Sequence, residues 1–192
     1  PTSVDNLARE GITRGVHLVG DTMYDAVLIF GEVAQQCSTI LQDLCLVPGG
    51  YLLTTVHRPY NSDNPENLCN ILRALTEIGE SVVFPVHPRT RQEIAKLEDH
   101  SLIDRLARTV RMIEPVGYLD MLVLEQNARL ILTDSGGMQK EAYFFGVPCI
   151  TLRPETEWVE TVRAGWNVVV GADLDGIKHA VRDHVWPVEP PR

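Results

Sequence analysis

The chain has 192 residues, of which 44% are hydrophobic, and its formal net charge at pH 7 is −9. That length and composition are typical of a globular domain with its own core, and the acidic balance argues against a nucleic-acid partner, which needs clustered Lys and Arg. No apolar run is long enough to cross a bilayer, so we expect no membrane partner. The polar start, Pro1-Thr2-Ser3, has neither a signal peptide nor an initiator Met. We therefore expect a cytoplasmic fragment of a longer protein.

The first part of the chain predicts two helices and one strand. Their bounds are Thr2 to Glu10 for a short helix, Val16 to Gly20 for a strand, and Asp21 to Leu44 for a long helix that relaxes near Gly31. The sequence Pro48-Gly49-Gly50 is a strong turn signal and marks a boundary. We therefore predict a connecting segment at 1–48, which joins a preceding domain, a main domain at 49–186, and a loop-like tail at 187–192.

From Tyr51 onward, six apolar runs alternate with helical patterns. The predicted strands are 51–56, 81–86, 109–113, 130–133, 147–152 and 167–170. The predicted helices begin at the Asn64-Pro65 cap and at about Thr90, Tyr118, Met138, Glu157 and Leu174. This alternation predicts an α/β fold with a doubly wound parallel sheet, Rossmann-like, whose crossovers are right-handed.

The stretch from Leu130 to Ala142 combines several features of a nucleotide site. An apolar strand turns through Asp134-Ser135-Gly136-Gly137 into a helix, whose N–H groups and dipole favour an anion. Two glycines let the backbone approach a ligand. Ser135 adds a hydroxyl, and Glu141, about one turn into the helix, is placed to accept both hydroxyls of a ribose. Taken alone, the pattern also fits an ordinary strand–loop–helix connection, because short Gly-rich matches are common.

Polar and cationic residues follow five of the predicted strands. These strand ends carry His57-Arg58, His87-Pro88-Arg89, Glu114-Pro115-Val116-Gly117, Asp134-Ser135-Gly136-Gly137 and Arg153-Pro154-Glu155. Because ligands bind outside the carboxyl ends of parallel strands, we expect these groups to line one pocket. Its cations suit an anionic nucleotide sugar, with Arg153 as a candidate phosphate contact. A single strand-end His is more often structural, but two of them beside cations favour a functional role.

Six motifs carry a resemblance to one protein family. They are Val56-His57-Arg58-Pro59, Phe84-Pro85-Val86-His87-Pro88, Glu114-Pro115-Val116-Gly117-Tyr118-Leu119, Thr133-Asp134-Ser135-Gly136-Gly137-Met138-Gln139-Lys140-Glu141-Ala142, Gly146-Val147-Pro148-Cys149 and Leu152-Arg153-Pro154-Glu155-Thr156-Glu157-Trp158. In this order and spacing they resemble the carboxyl-terminal half of the non-hydrolysing UDP-N-acetylglucosamine 2-epimerases of bacteria and archaea. The resemblance runs from the first residues to about Gly171. Its Asp-Ser-Gly-Gly-x-Gln-x-Glu block is highly specific when the two His motifs precede it.

The resemblance implies the C-terminal domain of a GT-B-type fold, in which the active site lies between two Rossmann-like halves. It implies interconversion of UDP-N-acetylglucosamine and UDP-N-acetylmannosamine. UDP would be eliminated to leave a glycal intermediate and would add again after the C2 proton returns on the other face. The resemblance further implies UDP-N-acetylglucosamine as the partner, no cofactor, no metal, and a homodimer at full length.

The same resemblance implies roles for particular residues. The nucleotide would be held by Ser135, Gly136 and Gly137 at the diphosphate, by Glu141 at the ribose, and by Val116 and Met121 at the uracil. His57 would lie near the diphosphate and the reacting sugar and would stabilise the departing UDP. His87 and Arg58 match positions near a second, activating UDP-N-acetylglucosamine site in some members. A departing diphosphate gains negative charge, which fixed N–H dipoles and an imidazole stabilise.

The chain departs from the family pattern at several positions. Trp158 stands where an Arg is common and Met121 where an aromatic often stands, so one phosphate contact and the uracil stacking are expected to differ. In the family, the acid/base residues lie in the first half of the protein, outside the matched region. We therefore expect this chain alone to bind UDP weakly and not to epimerise. Two alternatives stay open: a GT-B glycosyltransferase with a UDP-sugar donor, and a non-catalytic UDP-sugar sensor.

Overall fold

The computed structural model describes residues 2–188 and contains one parallel sheet of six strands. The strands are β1 (Leu52–Thr55), β2 (Val82–Pro85), β3 (Val110–Ile113), β4 (Leu130–Thr133), β5 (Cys149–Thr151) and β6 (Asn167–Val169). All of them lie within two residues of the predicted bounds. They pair in the order β3-β2-β1-β4-β5-β6, so the direction of winding changes between β1 and β4. The predicted doubly wound, Rossmann-like α/β fold is confirmed.

Helices connect the strands and precede the sheet. They are α1 (Thr2–Arg9), α2 (Thr22–Cys37), α3 (Ile40–Asp43), α4 (Pro59–Ser62), α5 (Pro65–Glu77), α6 (Pro88–Ala95), α7 (His100–Thr109), α8 (Tyr118–Asn127), α9 (Gly136–Phe145), α10 (Val159–Arg163) and α11 (Leu174–Asp183). Within residues 2–188, no helix is both long enough and apolar enough to cross a membrane.

Two hydrophobic clusters cover the two faces of the sheet. Side chains alternate along each strand, so Leu52 packs with α5, α6, α7 and α11, whereas Leu53 packs with α3, α8 and α9. In β4, Leu132 and Ile131 divide between the two faces in the same way. Because both faces are buried, the central strands are nearly continuous apolar runs. This placement leaves the carboxyl ends of the strands as the open edge of the domain.

The start of α5 agrees with its predicted cap. The side chain of Asn64 accepts hydrogen bonds from the N–H groups of Glu66 and Asn67, and Pro65 occupies the first helical position. A proline is tolerated there because that N–H would have no partner within the helix. The cap fixes where the chain turns back after β1, and so it helps to place the strand end that carries His57.

The strand predicted at Val16–Gly20 is wrong. These residues form no strand, and the Leu18 and Val19 side chains are 69% and 77% exposed. A strand needs a neighbour that accepts its backbone hydrogen bonds. This segment joins α1 to α2 and pairs with neither edge of the sheet. An apolar, β-branched run therefore stays extended without becoming a strand.

The predicted relaxation of the long helix near Gly31 is also wrong. Helix α2 runs unbroken from Thr22 to Cys37, and the chain leaves helical geometry at Ser38 before the short helix α3. Gly31 packs against Phe145, since a Cβ added at Gly31 would lie 3.6 Å from that ring. Gly31 therefore lies on the face of α2 that packs on the domain, and it does not break the helix.

Helix α9 begins at Gly136, two residues before the predicted start at Met138. Ser135 is its N-cap, and both glycines belong to its first turn with ordinary helical backbone, so neither needs a positive φ. Helix α7 was not predicted, although Asp99 provides its cap by accepting a hydrogen bond from the N–H of Leu102. Of the predicted tail at 187–192, residues 187 and 188 form neither helix nor strand. The prediction for 189–192 lies outside the described residues.

Candidate functional site

A cavity of about 240 Å³ opens at the carboxyl edge of the sheet. It is lined by Thr55, Val56, His57, Pro85, His87, Pro115, Val116, Met121, Ser135 and Met138. These residues come from the ends of β1, β2, β3 and β4 and from the starts of α8 and α9. The cavity therefore lies at the point where the winding of the sheet reverses, which is where doubly wound folds bind ligands.

His57 follows β1 and lies against a buried carboxylate from β4. Its Nδ1 atom is 3.2 Å from Oδ1 of Asp134, whose side chain is fully buried, while the His57 side chain is 36% exposed. Burial lowers the pKa of His57 below its ordinary value. The negative charge of Asp134 opposes that shift, and the electrostatic effect of Arg58 and His87 reinforces it. The imidazole is therefore mainly neutral near pH 7.

Asp134 also organises the backbone after β1. Its carboxylate accepts hydrogen bonds from the N–H groups of His57 and Arg58, at 3.1 and 3.0 Å, and from Nδ2 of Asn61 at 3.1 Å. The Asn61 side chain also donates to the carbonyl of Leu152 at 2.8 Å. One buried carboxylate thus ties the ends of β1, β4 and β5 together.

His87 follows β2 and faces the same cavity as His57. The two ring centroids are 6.3 Å apart. His87 caps α6, because its Nδ1 accepts a hydrogen bond from the N–H of Arg89 at 3.2 Å. That acceptor role requires a lone pair on Nδ1, so the hydrogen of the neutral ring lies on Nε2. The two histidines are therefore held by different partners on neighbouring strand ends.

The start of α9 offers backbone donors beside Ser135. The Ser135 hydroxyl accepts a hydrogen bond from the N–H of Met138 at 3.4 Å. Within the described residues, the N–H groups of Gly136 and Gly137 have no acceptor. Two unpaired donors at the positive end of a ten-residue helix favour an anion. This is the position at which the sequence predicts the diphosphate.

Two side chains from the loop after β5 lie against this helix start. A Cβ atom at Gly136 would clash with the carboxylate of Glu157, which forms an ion pair with Arg153 at 3.0 Å. The indole N–H of Trp158 donates to the carbonyl of Gly136 at 2.7 Å. Trp158, which stands where the family pattern has an Arg, thus supports the helix start by a hydrogen bond and adds no charge.

Apolar side chains form the opposite wall of the cavity. Val116, after β3, and Met121, on α8, both line it, as the sequence predicts, together with Met138 from α9. Such a wall accepts the face of a flat ring without a polar partner. Thioether side chains adapt their shape, so Met121 can pack on a ring in place of an aromatic.

Glu141 lies on α9, one turn beyond the helix start, and is only partly buried. Its Oε1 accepts a hydrogen bond from the Tyr118 hydroxyl at 3.1 Å. Burial raises the pKa of Glu141, and the bond from Tyr118 acts in the opposite direction. Burial and the nearby Glu141 charge raise the pKa of Tyr118 to about 12. Tyr118 therefore keeps its proton near pH 7 and is the donor partner of Glu141.

Arg58 and Arg153 line a second, separate depression. This depression has a volume of about 250 Å³ and is also lined by Pro59, Tyr60, Pro154 and Glu155. Both arginines follow strand ends, β1 and β5, but neither lines the main cavity. Two guanidinium groups at one depression suit a phosphate or a carboxylate.

The structure brings most of the predicted site residues together on one edge. His57, His87, Val116, Met121 and Ser135 share the main cavity. Two other groups lie beside it rather than in its lining: one is on α9 (Gly136, Gly137 and Glu141) and the other is the arginine depression (Arg58 and Arg153). The roles assigned to all of these residues stay predictions.

Sequence reasoning missed the most connected polar residue of the site. Asp134 was treated as part of a turn, although it is fully buried and accepts hydrogen bonds from the backbone N–H groups of His57 and Arg58. The available signal was a carboxylate at the end of an apolar strand that neighbours the His57 strand. It also missed Tyr118, the donor to Glu141. That pairing spans 23 residues and depends on how α8 packs against α9.

The fold and the cavity define a Rossmann-like domain with a nucleotide-type cleft at the reversal of its sheet. A family model described as UDP-N-acetylglucosamine 2-epimerase matches residues 1–187. The chain belongs to this family.

Individual relatives agree with that assignment. The chain is 49% identical to a UDP-N-acetylglucosamine 2-epimerase homolog of Methanococcus maripaludis, over 90% of this chain and 48% of that protein. It is 45% identical to the UDP-2,3-diacetamido-2,3-dideoxy-D-glucuronate 2-epimerase of Pseudomonas aeruginosa, over 94% and 49%. It also matches the crystal structure of Methanocaldococcus jannaschii UDP-GlcNAc 2-epimerase in complex with UDP-GlcNAc and UDP. That match has a TM-score of 0.82 and 39% identity, over 98% of this chain and 54% of the other. The chain thus spans about half the length of these relatives.

Proposed function

We propose that this chain is the nucleotide-sugar-binding half of an epimerase that interconverts UDP-N-acetylglucosamine and UDP-N-acetylmannosamine. The observation that carries the proposal is the meeting of His57 and Ser135 in one cavity at the reversal of the sheet. Family membership supports the proposal, and so does the relative from Methanocaldococcus jannaschii, whose structure is a complex with UDP-GlcNAc and UDP.

In this proposal the diphosphate binds at the start of α9. The unpaired N–H groups of Gly136 and Gly137 and the hydroxyl of Ser135 provide its donors. The helix dipole adds to their attraction for negative charge. Arg153, now paired with Glu157, is a further phosphate contact if it exchanges that carboxylate for the ligand.

The nucleoside extends from the diphosphate toward α8. The Glu141 carboxylate accepts hydrogen bonds from the two ribose hydroxyls, which then replace the Tyr118 hydroxyl as its donors. Uracil packs on Val116 and Met121 along the apolar wall. Packing gives affinity there, and the fixed carboxylate gives orientation.

The reaction that we propose begins with loss of UDP from C1 of the sugar. The electrons of the C1–O bond move to the diphosphate oxygen, and the donors at α9 and an imidazolium at His57 stabilise the charge that develops. The groups that remove and return the C2 proton are proposed to lie outside this chain, in the half that the relatives possess in addition.

Three further expectations belong to the complete protein. His87 and Arg58 are proposed to contact a second, activating molecule of UDP-N-acetylglucosamine, next to the first. The full-length protein is proposed to be a homodimer and to be cytoplasmic. The depression shared by Arg58 and Arg153 supports the first of these expectations, because two guanidinium groups there suit the diphosphate of the second molecule.

UDP binding to the purified chain, measured by calorimetry, tests the proposed nucleotide site. Ser135→Ala removes one proposed polar contact and Glu141→Ala removes two, and each variant should weaken binding by about tenfold or more. Ser81→Ala and Glu32→Ala replace exposed residues of the same types and should leave binding unchanged. Equal affinity in all four variants would show that UDP does not bind at this site.

Product analysis on the complete protein separates the proposed reaction from its rivals. Formation of a mannosamine product supports the epimerase. Transfer or hydrolysis without that product favours a glycosyltransferase, and binding without change favours a sensor. The same assay should include UDP-2,3-diacetamido-2,3-dideoxy-D-glucuronate, because the Pseudomonas aeruginosa relative is named for that substrate. If the protein turns over only that sugar, the proposed substrate is wrong, but the proposed class of reaction, epimerisation at C2, still holds.

A further inference from the structure

The buried carboxylate of Asp134 is a feature that the proposed function leaves unused. It lies at the end of β4, directly before Ser135, and it contacts both the backbone and the ring of His57. It therefore connects the residue proposed to assist the departing diphosphate with the helix start proposed to bind it. A purely structural role would require only the backbone contacts.

The contact between the two side chains favours one position for the ring hydrogen of His57. Nδ1 lies 3.2 Å from Oδ1 of Asp134. A lone pair on Nδ1 would be repelled by the carboxylate, whereas an N–H bond there is attracted to it. The carboxylate therefore favours the neutral form that carries its hydrogen on Nδ1. Nε2, on the other side of the ring, then carries the lone pair, and it has no partner within residues 2–188.

We propose that Asp134 is a positioning residue, which holds a hydrogen on Nδ1 of His57 so that a second proton enters at Nε2, and that Nε2 faces the diphosphate in the bound complex. The inference rests on the proposed function. In the elimination step, the C1–O bond breaks and its electron pair goes to the diphosphate oxygen. The Nε2–H group donates a hydrogen bond to that oxygen, and Asp134 balances the positive charge of the ring.

The charges around His57 predict that this second proton arrives together with the nucleotide. Burial and the electrostatic effect of Arg58 and His87 disfavour a charged His57 in the free protein, and Asp134 favours it. A bound diphosphate adds negative charge on the Nε2 side and raises the pKa of His57. UDP binding near pH 7 should therefore take up a proton.

Nitrogen NMR on the free chain tests the position of the hydrogen directly. The spectrum of the unmodified chain should show the Nδ1–H form of His57, with His57→Gln identifying the signals. Asp134→Asn places an amide beside the ring and should shift the ring toward the Nε2–H form. Asp104→Asn, at an exposed position on α7, should not. An Nε2–H form in the unmodified chain would overturn the proposal, whether or not the Asp134→Asn variant folds.

Calorimetry of UDP binding in two buffers with different ionisation enthalpies tests the proton uptake. Uptake should be present in the unmodified chain and in Asp104→Asn, reduced in Asp134→Asn, and lost in His57→Gln. Uptake that is the same in all four proteins would contradict the inference. A chain that binds no UDP would instead contradict the proposed function, and the NMR result would still decide the position of the hydrogen.

Discussion

A single buried acid, Glu125, lies close to the proposed ribose ligand Glu141 and is held neutral by its burial. Its side chain is 1% exposed on α8, and its Oε2 atom has no hydrogen-bond partner within the described residues. Burial raises the pKa of Glu125 well above its ordinary value, and the nearby Glu141 adds to the shift. A buried carboxyl without a cation is held neutral, because desolvation penalises its charged form.

This shift predicts a stability that falls as the pH rises. The folded state holds the Glu125 proton at pH values where the unfolded chain has lost it, so each pH unit above the ordinary pKa costs about 1.4 kcal/mol until the folded pKa is reached. Glu125→Gln imitates the neutral acid and removes this loss. Its melting temperature should exceed that of the unmodified chain at pH 8 and match it near pH 4.

Thermal unfolding across that pH range measures the effect. Glu32→Gln, at an exposed position on α2, provides the control and should follow the unmodified chain at every pH. If Glu125→Gln raises the melting temperature by as much at pH 4 as at pH 8, then packing, and not protonation, limits stability at this position.

At the level of elements, the first turn of α9 contains two glycines, which are poor helix formers, at the place where we propose that the diphosphate binds. Gly137 lies in that turn, and a Cβ added there would meet no described atom closer than 3.8 Å. Alanine forms helices better than glycine and should stabilise the domain by about 0.5–1 kcal/mol. The same methyl group would hinder the approach of a diphosphate to the helix N–H groups. We therefore expect Gly137→Ala to raise the melting temperature and to weaken UDP binding.

Paired unfolding and calorimetry experiments on this variant separate the two effects. Gly79 is not a suitable control, because its φ of 77° would strain any side chain. Gly117, the cap residue before α8, has an ordinary φ of −67° and open space around it, so Gly117→Ala tests a methyl group outside the α9 start. Tighter or unchanged UDP binding in Gly137→Ala would show that the backbone there does not approach the ligand.

A second element-scale feature is the attachment of α2 to α9 through Lys140. Its ammonium group lies 3.1 Å from Asp21, the cap of α2, and 3.0 Å from Glu160, and it sits over the Trp158 ring. Burial opposes the charge of Lys140, but the two carboxylates outweigh it and raise the pKa. Lys140→Met keeps the apolar stem and removes the charge. We expect a loss of about 1–2 kcal/mol, because both carboxylates are more than a third exposed and regain water.

Amide exchange measures where that loss falls. The first turn of α2 should exchange faster in Lys140→Met, because Asp21 loses the partner that holds it against α9. Lys96→Met, which removes an exposed pair with Glu93, should leave α2 unchanged. If the amides of α2 remain protected from exchange in Lys140→Met, then apolar packing around Gly31, and not Lys140, holds α2 on the domain.

The sequence predicted the elements whose patterns are local. The six sheet strands and the Asn64 cap have strong local signals, so periodicity and cap chemistry were sufficient to find them, although α7 was missed despite its local cap at Asp99. The Val16–Gly20 segment failed because a strand also requires a partner edge. The prediction of a relaxed helix at Gly31 was wrong because the helix packs there against Phe145, which is distant in the chain. The contacts of Asp134 with His57 were missed for the same reason, since they join residues 77 positions apart.

At the scale of the whole molecule, the open edge of the sheet brings unpaired backbone donors and two histidines together, and the acid/base groups of the proposed reaction are proposed to lie outside this chain. The main cavity holds two histidines and a serine, and no carboxylate lines it within residues 2–188. Removal and return of a C2 proton need positioned acids or bases within hydrogen-bond reach of that carbon. The chain also spans about half the length of its relatives.

The purified chain should therefore bind UDP and yet not epimerise UDP-N-acetylglucosamine. In deuterated water, an enzyme that exchanges the C2 proton incorporates deuterium there, which mass spectrometry and proton NMR detect even when little mannosamine accumulates. We expect neither deuterium nor mannosamine product from this chain, and both from a protein that also contains the remaining half found in its relatives. The longer protein with His57→Gln provides the matched control. It should bind the nucleotide sugar but lose turnover by about a hundredfold or more. Deuterium incorporation by the chain alone would place the acid/base groups within these 192 residues and would overturn the division of labour proposed here.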